Sequence, residues 1–204
     1  LGDVYKRQIY ISIFASNTYE QFKSKLEELE KANIDSLIID VRYNSGGHLT
    51  TATKIISLFL SSDKVIYQIE DSSGTQKHYS QGTITKEYPI VVLVNGNSAS
   101  ASEILASALK EQYNAILVGK KTYGKGTVQE LLKTKNGIQY KITTQHWLTS
   151  KGNWIDKQGI DVDYDVELTD KYLSNPIDEN DSQLNKAIEI LKSVSYTHLT
   201  LPTI

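Results

Sequence analysis

Two stretches carry residue types able to do covalent chemistry. In "NGNSASASEIL", Ser98, Ser100 and Ser102 follow an aliphatic run and precede a helix-like pattern. A serine at a strand-to-helix turn presents its hydroxyl at the sheet edge, where the first N–H groups of the helix can bind an oxyanion. The same residues also have a purely structural use, because Ser100 followed three positions later by Glu103 is a capping box, worth about 1 kcal/mol to a helix. In "AILVGKKTYGKGTVQ", Gly119, four residues, Gly124 and Lys125 come after an apolar run and nearly complete a phosphate-binding loop. Such a loop needs Ser or Thr after its lysine for magnesium, and a helix to receive the phosphates. Gly126 and a strand-like run follow instead, which argues against nucleotide binding.

A serine nucleophile needs a base. His48, His78, His146 and His198 are available. None has a clear Ser-His-Asp context, although order along the chain does not exclude that arrangement. A lysine serves if it is desolvated, since burial penalises the ammonium. Lys125, between two glycines beside a buried strand, fits that role; its bland alternative is a solvated loop lysine. Gln129, four residues further on, could hydrogen-bond the amine and orient it without adding charge.

The elements around these residues read as strands alternating with amphipathic helices. Residues 9–14 are strand-like, and Thr18 is expected to cap a helix carrying Phe22, Leu26 and Leu29 on one face. Residues 36–41, 89–95 and 115–119 are apolar runs of the kind buried on both faces of a parallel sheet. Between them lie a helix with Ala52, Ile55, Ile56, Phe59 and Leu60 on one stripe and a second helix over residues 101–112. This order predicts an α/β domain with a largely parallel sheet and an active site at the carboxyl ends of its strands. The turns "NSGG" and "GNSAS" both sit at such ends. Beyond Lys125, "TVQELLKT" and "IQYKITTQHWLT" flank Asn136 and Gly137, predicting an antiparallel hairpin. A loop-rich stretch follows, and Asp181 or Ser182 then caps a last helix bearing Leu184, Ala187, Ile188 and Leu191.

Composition narrows the function classes. With 204 residues, 39% hydrophobic and 23% charged, the chain suits one globular domain. A net charge of -2, with lysines interspersed among acidic residues, argues against nucleic acid or anionic lipid as partner. The absence of cysteine removes disulfide, thiolate and zinc-thiolate chemistry. No metal-ligand spacing is visible and no cofactor is expected. No apolar run reaches the ~18 residues of a membrane span. Residues 1–8 and 195–204 show neither helix nor strand period and resemble translated sequencing-adapter read-through, so they are expected to be non-native.

Four ordered segments, "IIDVRYNSGG", "VVLVNGNSASASEILASAL", "VGKKTYGKGTVQ" and "GIDVDYDVEL", resemble the C-terminal processing peptidases, or tail-specific proteases. The resemblance implies an α/β, ClpP/crotonase-like protease core over residues 9–170, followed by a C-terminal linker and helix at 171–194. By it, Ser100 is the nucleophile and Lys125, 25 residues on, the general base. Gln129 completes the triad, and the N–H groups of Gly46 and Ala101 form the oxyanion hole. The activity implied is serine endopeptidase cleavage near the C-termini of protein substrates through an acyl-enzyme. An upstream peptide-binding PDZ domain, an export or anchor segment and an extracytoplasmic location at the bacterial envelope are implied for the intact protein. Ser45 and Val162 stand where the family usually has proline; neither position does chemistry. The alternatives are a non-catalytic ligand- or peptide-binding module and an acyl-CoA enzyme on the same fold.

Overall fold

The computed structural model describes residues 7–134 and 136–199. Along the chain the strands are β1 (Gln8–Tyr10), β2 (Leu37–Asp40), β3 (Val65–Asp71), β4 (Gly74–Tyr79) and β5 (Ile90–Val94), then β6 (Ile116–Gly119), β7 (Thr127–Lys133), β8 (Gln139–Leu148) and β9 (Tyr164–Asp165). The helices are α1 (Thr18–Lys31), α2 (Leu49–Ile56), α3 (Ala101–Ala108), α4 (Asp170–Ser174) and α5 (Ser182–Leu199).

The unbroken aliphatic runs of β2 and β5 lie inside a five-stranded parallel sheet of order β1-β2-β5-β6-β9. Alternate residues of each run face opposite layers. Leu37, Ile39, Val92, Val94 and Leu117 pack with Phe22, Leu26, Ile55 and Leu105 of α1 to α3 and with Phe59 just after α2. Ile38, Val91, Leu93 and Val118 meet Leu184, Ile188 and Leu191 of α5. Both faces are covered, which is why these strands show no polar alternation.

A second, antiparallel sheet has the order β4-β3-β8-β7. The expected hairpin is β7 and β8, closed by the Thr134 N–H donating to Ile138 O at 2.9 Å, with Gly137 at φ +82°. The sequence reading assigned no element to residues 61–88, where β3 and β4 form around a turn at Gly74, φ +127°. Five of the six residues of β4 are exposed, and the strand carries little apolar signal.

Thr18 does not cap α1. Its hydroxyl donates to Ile13 O and accepts from Ala15 N–H, both at 3.0 Å, so it closes the preceding turn while Asn17 occupies the cap position. The helix expected over 101–112 changes pitch, because α3 ends at Ala108 and Leu109–Tyr113 widens into a π-helical turn. Asp181 caps α5 as expected, its Oδ1 accepting from Gln183 and Leu184 N–H at 3.0 and 2.9 Å. That helix continues to Leu199, so the stretch from residue 195, read as having no period, starts as helix. Among the described residues no helix is long and apolar enough to cross a membrane.

Candidate active site

Neighbouring parallel strands β2 and β5 end together, with Asp40 in register with Leu93, so the turns that follow them lie side by side. Tyr43 N–H donates to Asn95 Oδ1 at 3.0 Å, Ala99 N–H to Asn44 O at 3.1 Å, and Ser102 Oγ to the same carbonyl at 2.8 Å. Ser98 Oγ reaches back to Val41 O at 2.9 Å. Of the three serines, Ser98 and Ser102 are therefore committed to holding the turns together, and both are fully buried. Ser100 is half-buried. A Cβ built at Gly46, where φ is +107°, would fall 2.9 Å from Ser100 Cβ, 2.9 Å from Ala99 O and 3.2 Å from Ala101 N. Only glycine lets the first turn approach the serine this closely.

Ser100 occupies φ +57°, ψ −117°, a conformation costing about 1–3 kcal/mol for a residue with a side chain. The structure that holds it there centres on Glu103. The expected capping box forms, with Ser100 N–H donating to Glu103 Oε2 at 2.9 Å. Glu103 has no solvent exposure, and its carboxylate also accepts from Thr122 Oγ1 at 2.7 Å, Gly124 N–H at 2.7 Å and Lys125 N–H at 2.9 Å. One buried group thus fixes the backbones of Ser100 and Lys125 in a common frame. The sequence signal showed the first half of this role, the capping box; the second half depends on a loop 19 to 22 residues away.

The loop carrying Lys125 is held from its other side by residues 154–160. Lys157 N–H donates to Gly124 O at 2.8 Å, Gly126 N–H to Asp156 Oδ1 at 3.2 Å and Ile160 N–H to Thr122 Oγ1 at 2.7 Å. A Cβ at Gly126 would stand 2.3 Å from Asp156 N. Glycine at this position therefore serves close packing, and the loop leads into β7 with no helix to receive phosphate.

A cavity of about 640 Å³ opens between the turns, lined by Ser45 and Ala99, the neighbours of Gly46 and Ser100, together with Lys125 and Gln129. Of the expected site residues, Lys125 and Gln129 line this cavity; Gly46 and Ser100 adjoin its lining residues in sequence, and Ala101 follows Ser100. Two details differ from expectation. The Lys125 side chain is exposed rather than desolvated, while the glycines flanking it pack their backbones against residues 156–159. The Gly46 N–H is engaged by Asn44 Oδ1 at 2.8 Å. Asn44 is buried and also donates to Ile11 O at 2.9 Å. Ala101, by contrast, opens α3, and the first N–H groups of a helix have no intrahelical acceptor.

The described histidines lie elsewhere. His48 precedes α2, His78 stacks on Tyr67 at 4.4 Å in the antiparallel sheet, and His146 packs 4.3 Å from Trp154. None of them lines the cavity. His198 falls in the part of α5 whose side chains lie outside the described residues. Among the described residues no group of three or more His, Asp or Glu could hold a metal ion.

Beneath the first turn, Arg42 is buried in a network that sequence reading did not single out. Its guanidinium pairs with Asp40 at 2.7 Å and Asp181 at 2.8 Å and donates to Gln183 Oε1 at 3.0 Å. These partners hold the Arg42 guanidinium well above its ordinary pKa despite the opposing effect of burial. The cap of α5 is thereby tied to the strand end that launches the Gly46 turn.

Comparison with known proteins identifies the family. Carboxy-terminal processing protease CtpB of Bacillus subtilis (strain 168) is 40% identical over 197 residues, covering 92% of this chain and 41% of that protein. The carboxyl-terminal-processing protease of Synechocystis sp. is 35% identical, covering 90% and 43%. Among solved structures, the photosystem II D1 C-terminal processing protease superposes with a TM-score of 0.74 at 30% identity, covering 78% of this chain and 42% of that one. The chain thus spans about two fifths of the length of these relatives. The model of Peptidase family S41 matches residues 8–166, well over half of the chain, and the relatives aligned across nine tenths of it are carboxy-terminal processing proteases, so the chain belongs to family S41, among the carboxy-terminal processing proteases.

Proposed function

We propose that this chain is the catalytic core of a serine endopeptidase that cleaves protein substrates near their C-termini, with Ser100 as nucleophile and Lys125 as general base. The observation that carries this reading is the single Glu103 carboxylate bonded to the backbones of both residues at the edge of one cavity. In this mechanism the Lys125 amine takes the Ser100 Oγ proton as the oxygen adds to the scissile carbonyl. The resulting oxyanion accepts from the Ala101 and Gly46 N–H groups. Lys125 then gives its proton to the leaving amine, and the C–N bond breaks to leave an ester on Ser100. Water, deprotonated by Lys125, hydrolyses that ester and restores the serine. Gln129, on β7 beside the same cavity, orients the amine without adding charge.

Two local movements complete this site. The Lys125 side chain turns inward from its exposed position, and the Gly46 N–H exchanges Asn44 Oδ1 for the substrate oxygen. Active-site hydrogen bonds commonly tighten in this way only once substrate is bound. The same two observations favour a second reading, a peptide-binding module without turnover. Peptide hydrolysis separates them: Ser100→Ala and Lys125→Ala each abolish turnover if the pair acts as a unit, whereas a binding module shows none to abolish.

In the intact protein, on this reading, an upstream PDZ domain delivers substrate C-termini and the enzyme works outside the cytoplasmic membrane. The relatives are more than twice as long as the stretch they share with this chain, which leaves room for such a domain.

A further inference from the structure

Tyr43 and Tyr123 line the same cavity as Lys125, and both are large exposed side chains, at 57% and 64%. Neither ring contributes to the core. Tyr43 also occupies φ +60°, where a bulky residue is a backbone outlier. The turn over-determines that conformation. Tyr43 N–H is held by Asn95 Oδ1 at 3.0 Å, Arg42 before it is clamped by Asp40, and Asn44 after it is buried. Strain kept in place at a site whose side chain gains no packing is the pattern of a functional constraint. Tyr123 is tethered just as firmly. Its N–H donates to Ser98 O at 3.1 Å, and Thr122 before it donates to Glu103 at 2.7 Å.

Both rings therefore ride on backbone bonded directly to the 95–103 segment that carries the nucleophile. Fixed aromatic side chains offer large contact area at small entropic cost, because only two torsions need ordering. Apolar surface set among polar groups is how side-chain pockets recognise and orient ligands, and the two rings are the large apolar surfaces among this cavity's mostly polar lining residues. The charged residues lining the cavity, Lys125, Asp156 and Lys157, are of both signs and provide no single-sign field to select an acidic or basic side chain.

We propose that Tyr43 and Tyr123 form an aromatic-walled subsite that selects peptides with a bulky aliphatic or aromatic residue next to the scissile bond. The proposal rests on the reading of this cavity as a peptidase site. Its test has two readouts. The first is cleavage of a mixed-sequence peptide library by the purified protein, with products mapped by mass spectrometry. The second is binding of dye-labelled peptides, identical except for one Phe, Leu, Ala or Asp, to the Ser100→Ala protein.

Phe and Leu peptides are expected to be favoured over Ala and Asp by about tenfold, the usual scale of apolar discrimination. Tyr43→Ala should erase that preference, with the loss in KM, and Tyr43→Phe should retain it. Tyr43→Gly, which relieves the positive φ, should erase it without disturbing the fold. A preference that survives Tyr43→Ala and Tyr43→Gly, or an equal loss for every peptide, would overturn the subsite. If Ser100→Ala shows the Tyr43-dependent preference while the unmodified chain cleaves nothing, the subsite stands and the hydrolytic reading falls. Cleavage without that dependence has the opposite meaning.

Discussion

Glu103 Oε2 accepts the backbone N–H of Lys125 at 2.9 Å, across 22 residues of sequence, while the same oxygen accepts the N–H of Ser100. Hydrogen bonds to a charged acceptor contribute about 1.5–3 kcal/mol each, and a buried donor left without a partner costs a further 1–3 kcal/mol. Glu103→Ala is therefore expected to destabilise the fold by about 3 kcal/mol or more. Glu103→Gln, which keeps the shape but replaces one acceptor oxygen by a donor facing other donors, should lose most activity at a smaller stability cost. Urea unfolding and peptide hydrolysis on both variants check this. Normal turnover in Glu103→Gln would show that the shared frame is unnecessary.

Gly46→Ala tests the contact between the two turns. The added Cβ meets Ala99 O and Ser100 Cβ at 2.9 Å and must accept φ +107°. A loss of about 1–3 kcal/mol is expected from the backbone conformation alone, together with loss of activity as Ser100 is displaced. Thermal unfolding read beside turnover measures both effects, and a fully active, equally stable variant would be inconsistent with the contact.

Arg42 links the C-terminal helix to the site. Removing one member of a buried ion pair leaves the remaining charges uncompensated, at about 3–5 kcal/mol, so Arg42→Ala should be among the most destabilising single substitutions. Asp181→Asn keeps the helix-capping acceptor but weakens the pair, and a smaller loss is expected. Chemical denaturation of the two variants gives the ranking, and an Arg42→Ala protein no less stable than Asp181→Asn would contradict it.

Much of this arrangement was legible in sequence because it is local. The apolar runs of β2 and β5, the serine turn and the glycine pair around Lys125 all announce themselves within a dozen residues. Glu103 was legible only as a cap, because its bonds to Thr122, Gly124 and Lys125 require the loop after β6 to fold over α3. The exposure of Lys125 was not legible at all: flanking glycines suggested burial, but it is their backbones that pack against residues 156–159. The hairpin of β3 and β4 went unassigned because β4 is almost wholly exposed and its pairing partner sets its conformation.

His78 provides a pH-dependent test of the antiparallel sheet. Desolvation lowers its pKa below the ordinary value of 6.5, so the folded state holds the neutral ring against Tyr67 while the unfolded chain takes up a proton near that value. Stability should be fully present above about pH 6.5 and fall as the pH drops towards the lowered folded value. His78→Gln should flatten that decline. Denaturation midpoints at several pH values compare the two proteins, and identical slopes would show that His78 is not the group responsible.

The central claim is that Ser100 is a nucleophile activated by Lys125, and its most direct measurement is covalent labelling by a fluorophosphonate, with the adduct located by mass spectrometry. A single adduct on Ser100 is expected in the unmodified protein, absent in Ser100→Ala and reduced at least about a hundredfold in rate in Lys125→Ala, as befits loss of a general base. No adduct on Ser100, or labelling at the same rate without Lys125, would contradict it.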